Sequence, residues 1–210
     1  YVGNVGQDLV ESVFCFGGYR SITALELVEA YRANIKLNED GFVNLGWRGW
    51  EGSLPTSLIN NCSENENISN FSIAYYDDAI KSSSKKLTPL TCYYHIDSRP
   101  GSFSGTALTG VQAYTGTEIP ELTGSVVFSD FVRRTDSTAP ARGVLAYSRL
   151  SPYSKINDYH IIDLNNDFGS QAAFFTCLGA NREQTRLFLG VYGSMRVTDL
   201  HLGSVFEIVP

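Results

Sequence analysis

From residue 111 onward the chain is a run of short apolar and aromatic segments at intervals of 13 to 18 residues, separated by Gly, Pro, Asn and Ser. Segments of that length reach across a sheet once and must then turn, so the cadence predicts an antiparallel meander. The expected strands are 111–114, 125–131, 143–149, 159–164, 172–177, 186–192 and 204–209, with 10–16 and 73–76 before them. Only residues 23–34 carry a helical pattern. There a Thr23-x-x-Glu26 capping box precedes Leu25, Val28 and Tyr31 on one face. The fold class expected is therefore all-β with one short inserted helix.

Composition agrees. Charged residues are 18% of the chain, aromatics 12%, and 19 of the 210 residues are glycine, a profile of tight turns between packed strands. A net charge of −6 argues against a nucleic-acid partner, whose phosphates it would repel. No apolar run is long enough to span a bilayer.

Three N-x-S/T sequons, at Asn61, Asn67 and Asn70, crowd into residues 61–72. As glycan acceptors they would sit on a surface loop of a secreted protein, or a periplasmic one if bacterial. Four cysteines (Cys15, Cys62, Cys92 and Cys177) fit the same compartment and lack the C-x-x-C spacing of a zinc site. They allow three pairings. A Cys62–Cys92 bridge would staple the base of the sequon-bearing loop, and Cys15 and Cys177 stay open. The chain begins at Tyr1 rather than Met, which implies an earlier segment removed by processing or truncation.

Residues 44–52 hold both tryptophans, three glycines and Glu51. Indole rings need apolar cover, and glycines let the backbone turn tightly or approach a neighbour. The segment also belongs to an ordered series. Val5-Gly6-Gln7-Asp8 with Glu11 resembles a VGQ-x-x-x-E turn, and Asn44-Leu45-Gly46-Trp47 with Glu51-Gly52 resembles N-Y-G-W-P…E-G. Pro89-Leu90, Tyr94-His95 and Thr109-Gly110…Tyr114-Thr115-Gly116 resemble P-L…Y-x-H…G-G…Y-R-G. Ile119-Pro120-Glu121-Leu122-x-Gly124…Phe128-Ser129-Asp130-Phe131 resembles I-P-E-L-x-G…F-G-D-F.

In order and spacing, the series is similar to the C-terminal half of the glucose/sorbosone dehydrogenase family. That family contains the soluble quinoprotein sugar dehydrogenases and the hedgehog-interacting-protein-like propellers. The resemblance implies about three blades of a six-bladed β-propeller spanning residues 1–210, with insertions at about 17–40 and 60–86. It implies pyrroloquinoline quinone (PQQ), calcium, and oxidation of an aldose at C1 with hydride transfer to the quinone. The carbonyls of Gly6 and Gln7 would hold the cofactor's calcium; Glu11 and the Leu45 carbonyl would serve a second, structural calcium. Hard cations favour such oxygen donors.

Arg133 falls near a cofactor-contacting Lys of active members. The family's catalytic His belongs to the N-terminal half, and none of His95, His160 and His201 matches it. Thr115 stands where the family has Arg, Val111 where it has a second Gly, and residues 169–172 lack an expected arginine pair.

Half a propeller exposes two sheet edges and the apolar faces of missing neighbours. The chain is thus expected to pack against an N-terminal half or an assembly partner. Two other functions compete with a sugar dehydrogenase. One is a catalytically silent, glycosylated propeller acting as a binding or structural assembly module. The other is a glycan-binding domain that stacks sugars on Trp50 and Tyr93.

Overall fold

The computed structural model describes residues 1–7, 9–15, 45, 50–52, 54–55, 89–97, 99–133, 140–149, 159–165, 168, 171–196 and 198–210. These form β1 (Val2–Asn4), β2 (Val10–Phe14), β3 (Trp50–Glu51), β4 (Leu54–Pro55), β5 (Thr91–Tyr94) and β6 (Leu108–Tyr114). They continue with β7 (Ser125–Asp130), β8 (Val144–Arg149), β9 (His160–Ile161), β10 (Phe174–Ala180), β11 (Leu187–Tyr192) and β12 (Gly203–Ile208). One 3-10 turn, Pro120–Leu122, is the only helical element among the described residues. The expected all-β class holds. The expected helix at 23–34, the strand at 73–76 and both insertions lie outside the described residues.

The strands make three larger antiparallel sheets and a small β3–β4 hairpin. The first sheet runs β1-β2-β5, the second β6-β7-β8-β9 and the third β10-β11-β12. The second and third are meanders, as the cadence of the sequence predicts. β5 and β1 were not among the expected strands. The segment 159–164 pairs through His160–Ile161 alone, plus an Ile162 N–H to Leu145 bond of 2.8 Å.

Strand β7 explains how the sheets stack. All six of its residues are buried. Because successive side chains alternate faces, a strand buried throughout must be covered on both sides. Val126 and Phe128 enter one core with Val13, Leu90, Tyr93 and Phe103. Val127 enters another with Phe175, Leu178, Leu187 and Leu189. On β8, Val144 and Ala146 face the first core and Leu145 the second. The second sheet is therefore the middle layer, with the first sheet on one face and the third on the other.

Strands β6 and β10 meet closely. A Cβ on Gly110 would stand 2.5 Å from the Leu178 backbone nitrogen, so this position admits only glycine without a backbone shift. At the far end, the Thr115 N–H and hydroxyl both donate to the Gln184 carbonyl, tying the β6–β7 turn to the β10–β11 turn.

Candidate functional site

The polar groups that matter lie along the seam between the first and second sheets. Three carboxylates, Glu11, Glu51 and Asp130, are 0%, 4% and 0% exposed. A carboxylate so buried persists only where donors converge on it.

Glu51, in β3, clasps the turn before β2. Its Oε1 accepts the Gln7 N–H at 2.8 Å, and its Oε2 accepts those of Leu9 at 2.7 Å and Val10 at 3.1 Å. Gly6 makes the clasp possible, since a Cβ there would lie 2.0 Å from the Val10 carbonyl oxygen and 2.7 Å from Glu51 Oε2. Gly6 is half-buried and Gln7 exposed.

Glu11, in β2, bridges the two sheets. Its Oε1 lies 2.7 Å from His95 Nε2, and its Oε2 accepts the Leu108 N–H at 2.9 Å. His95 follows β5 and is 5% exposed, its own N–H donating to the Leu9 carbonyl. The resemblance assigns Glu11 to a structural calcium, and here both its oxygens take protein donors. Leu45 is half-buried, and among the described residues no hydrogen bond joins it to Glu11.

Asp130 closes β7 opposite Leu108. Tyr93 donates its phenol to Oδ2 at 2.8 Å, Ala107 its N–H to Oδ2 at 3.0 Å, and Val132 its N–H to Oδ1 at 3.0 Å. The Thr106 N–H reaches both oxygens, at 3.0 and 3.1 Å. Burial lifts the Asp130 carboxyl to about 6 against the pull of these donors, and the nearby Glu11 charge adds to the rise. Tyr93 is pushed well above the ordinary phenol range by burial first, then by the charges of Asp130 and Glu11. Tyr93 also stacks on Phe128 with centroids 5.7 Å apart. It is fully buried, which corrects its reading as a sugar-stacking platform: its ring fills the first core and its hydroxyl serves Asp130. Nothing is described of the Trp50 side chain.

A quinone bearing carboxylates needs fixed cations around it. Arg133 is exposed, and its backbone N–H donates to the Arg142 carbonyl at 2.7 Å. Thr115, in the family's Arg position, carries no charge and spends its hydroxyl on the Glu183 and Gln184 carbonyls. Thr115 therefore supplies no cation to such a carboxylate. Among the described residues, no three His, Cys, Asp or Glu side chains are grouped as metal ligands. Gly6 presents a carbonyl of the hard kind calcium takes. Cys92 is buried on β5 opposite Ser12. Asn61, Cys62, Asn67 and Asn70 lie outside the described residues.

Sequence reasoning gave no role to the Glu51 clasp, the Glu11–His95 contact or the Asp130–Tyr93 contact. The residues themselves stand in the recognised segments, but their partners lie 37 to 84 residues away and leave no local signal. No helix among the described residues is long and apolar enough to cross a membrane. No family model, curated protein or solved structure matches the chain.

Proposed function

We propose that this chain is a run of about three blades of a six-bladed β-propeller of the glucose/sorbosone dehydrogenase type, and that it works as a binding and assembly module of a secreted glycoprotein. The observation that carries the reading is the layering. Each sheet packs face to face on the next, and adjoining strands β6 and β10 touch backbone to side chain at Gly110 and Leu178. Antiparallel sheets stacked in succession, the second and third of them short meanders, are what propeller blades require. The buried carboxylates support a module role, because their oxygens tie strands together instead of facing a cleft.

Such a module needs a partner to cover its outermost sheets. Sedimentation velocity and size-exclusion of the 210-residue chain test this. Self-association or capture of an N-terminal propeller half is the expected result, and a compact, cooperative monomer would sink the proposal. Glycans on Asn61, Asn67 and Asn70 would show as a mass loss after glycosidase treatment.

A second reading makes the chain part of a PQQ-dependent aldose dehydrogenase, the base being supplied by the other half. The Gly6-Gln7 turn of the resemblance favours its calcium, while the uncharged Thr115, in the family's Arg position, speaks against its quinone. Absorbance spectra after incubation with PQQ and calcium decide it. Absence of a bound-quinone band in the presence of the N-terminal half rejects that reading and leaves the module reading standing.

A further inference from the structure

Strands β1, β6 and β10 are the inner strands of the three sheets and lie alongside one another, β1 against β6 and β6 against β10. At each of these contacts a glycine stands opposite a leucine. A Cβ on Gly3 of β1 would lie 2.5 Å from Leu108 Cδ2 of β6. A Cβ on Gly110 of β6 would lie 2.6 Å from Leu178 Cβ of β10. Between Leu108 and Gly110 the register of β6 shifts, so the leucine enters the first core while the glycine faces the third sheet. Each seam is thus closed over one missing side chain, which lets the neighbouring strand come close.

The series has one more member. Gly179 of β10 directly follows Leu178, so it faces away from the second sheet, and it pairs with Phe188 of β11. A Cβ there would meet nothing within 4 Å, and its φ lies outside the left-handed region. Glycine in the middle of a strand weakens it, and no contact among the described residues requires one here. Gly190 of β11 differs, since its missing side chain makes room for Cys177 Sγ. Cys177 and Val205 share the face of Gly179 and are exposed.

We propose that Gly179 is a third seat of this kind, open in the 210-residue chain, and that it receives a leucine-sized aliphatic side chain from the inner strand of a sheet of the N-terminal half. The repetition names the occupant, for both filled seats take a leucine from the strand alongside. A glycine inside a strand also marks the place where another backbone approaches closely, as Gly110 does for Leu178. The surrounding face suits a packed sheet. Phe188 and Val205 are apolar, and the two charges beside them, Arg186 and Glu207, are paired with each other.

A second copy of the chain is a poorer occupant. The same face of its own β10 brings Cys177 and Gly179, and neither is an aliphatic side chain of leucine size. Its first sheet does not serve either, because the face turned from the second sheet is already closed. There Val10, Ser12 and Phe14 are buried, with Gly52 against Val10 and Ser12.

The inference rests on the assembly reading above, and its test lets the two fail separately. The probe is the N-terminal propeller half, expressed as a separate chain and titrated into the 210-residue chain by sedimentation velocity. Gly179→Leu fills the seat from within, so it should leave the urea midpoint unlowered and weaken capture at least about ten-fold. Gly179→Ala should weaken it less. The Cys177 thiol, on the same face, should react with a maleimide in the free chain and be protected in the complex. Capture of Gly179→Leu at wild-type affinity, or equal labelling of Cys177 free and bound, would overturn this inference and leave the module reading in place. A urea midpoint lowered by Gly179→Leu would overturn it too, by showing the seat already filled. Self-association that Gly179→Leu disperses would make a second copy the occupant and overturn this inference alone. A wild-type chain that stays monomeric and captures nothing would overturn both readings.

Discussion

Tyr93 and Asp130 join the first two sheets by a 2.8 Å hydrogen bond inside a core from which water is excluded. This contact has a pH signature. Burial raises the Asp130 carboxyl from its ordinary 3.8 to about 6. A carboxyl with a raised folded pKa holds more protons folded than unfolded, so its contribution is complete at low pH. It is lost as pH rises from about 4 to about 6, by at most about 3 kcal/mol. Urea denaturation of the wild type and Asp130→Asn across that window should show the difference. Asparagine removes the titration, so the two stability curves should converge toward high pH. Parallel curves would mean that Asp130 does not titrate there.

Two glycines should respond to the same substitution for opposite reasons. In Gly6→Ala the new Cβ meets the Val10 carbonyl oxygen at 2.0 Å, a backbone atom that cannot yield without opening the turn. The expected cost is about 1–3 kcal/mol from overpacking, with loss of the Glu51 clasp added. Gly124 has φ +74° and nothing within 4 Å, so alanine there pays only backbone strain of about 1 kcal/mol. Chemical denaturation of both variants should rank Gly6→Ala as the more damaging. Equal losses would show that the turn is softer than its contacts imply.

Glu51→Gln tests the clasp itself. An amide presents one oxygen and one N–H₂ to three backbone donors, so at least one buried N–H loses its acceptor. Such an orphan costs about 1–3 kcal/mol. Hydrogen exchange should localise the change, with the Gln7, Leu9 and Val10 amides exchanging faster than the rest of β2. Uniform acceleration across the first sheet would instead mean global destabilisation alone.

The strands that sequence shows best are those whose burial leaves a pattern. The Ser125–Asp130 strand is legible because β-branched and aromatic residues succeed each other between turn residues. β1 is not legible, for Gly3 and Asn4 are poor strand formers. It pairs with β2 where the missing Gly3 side chain makes room for Leu108, whose Cδ2 would lie 2.5 Å from a Cβ. The segment 159–164 reads as a full strand because Ile162 and Leu164 are apolar, yet its ladder on β8 ends at Ile161 with one further bond from the Ile162 N–H to the Leu145 carbonyl. At the seam, the residue types of Glu11 and Glu51 were visible, but not the donors they would meet. His95 lies 84 positions from Glu11, and only the packed sheets bring the two together.

The Glu11–His95 contact is the strongest candidate for energetic coupling across the first sheet. His95→Ala leaves Glu11 Oε1 without its donor at a fully buried site, and the expected loss is about 3 kcal/mol. Glu11→Gln keeps an oxygen that can accept the Leu108 N–H and turns its amide toward His95, so it should cost less. The double variant separates contact from cavity, since removing both partners removes the stranded charge. A coupling energy of about 1–3 kcal/mol in the four-corner cycle is expected. Additive losses within about 0.5 kcal/mol would show that Glu11 is satisfied by Leu108 alone, and that His95 serves only as packing.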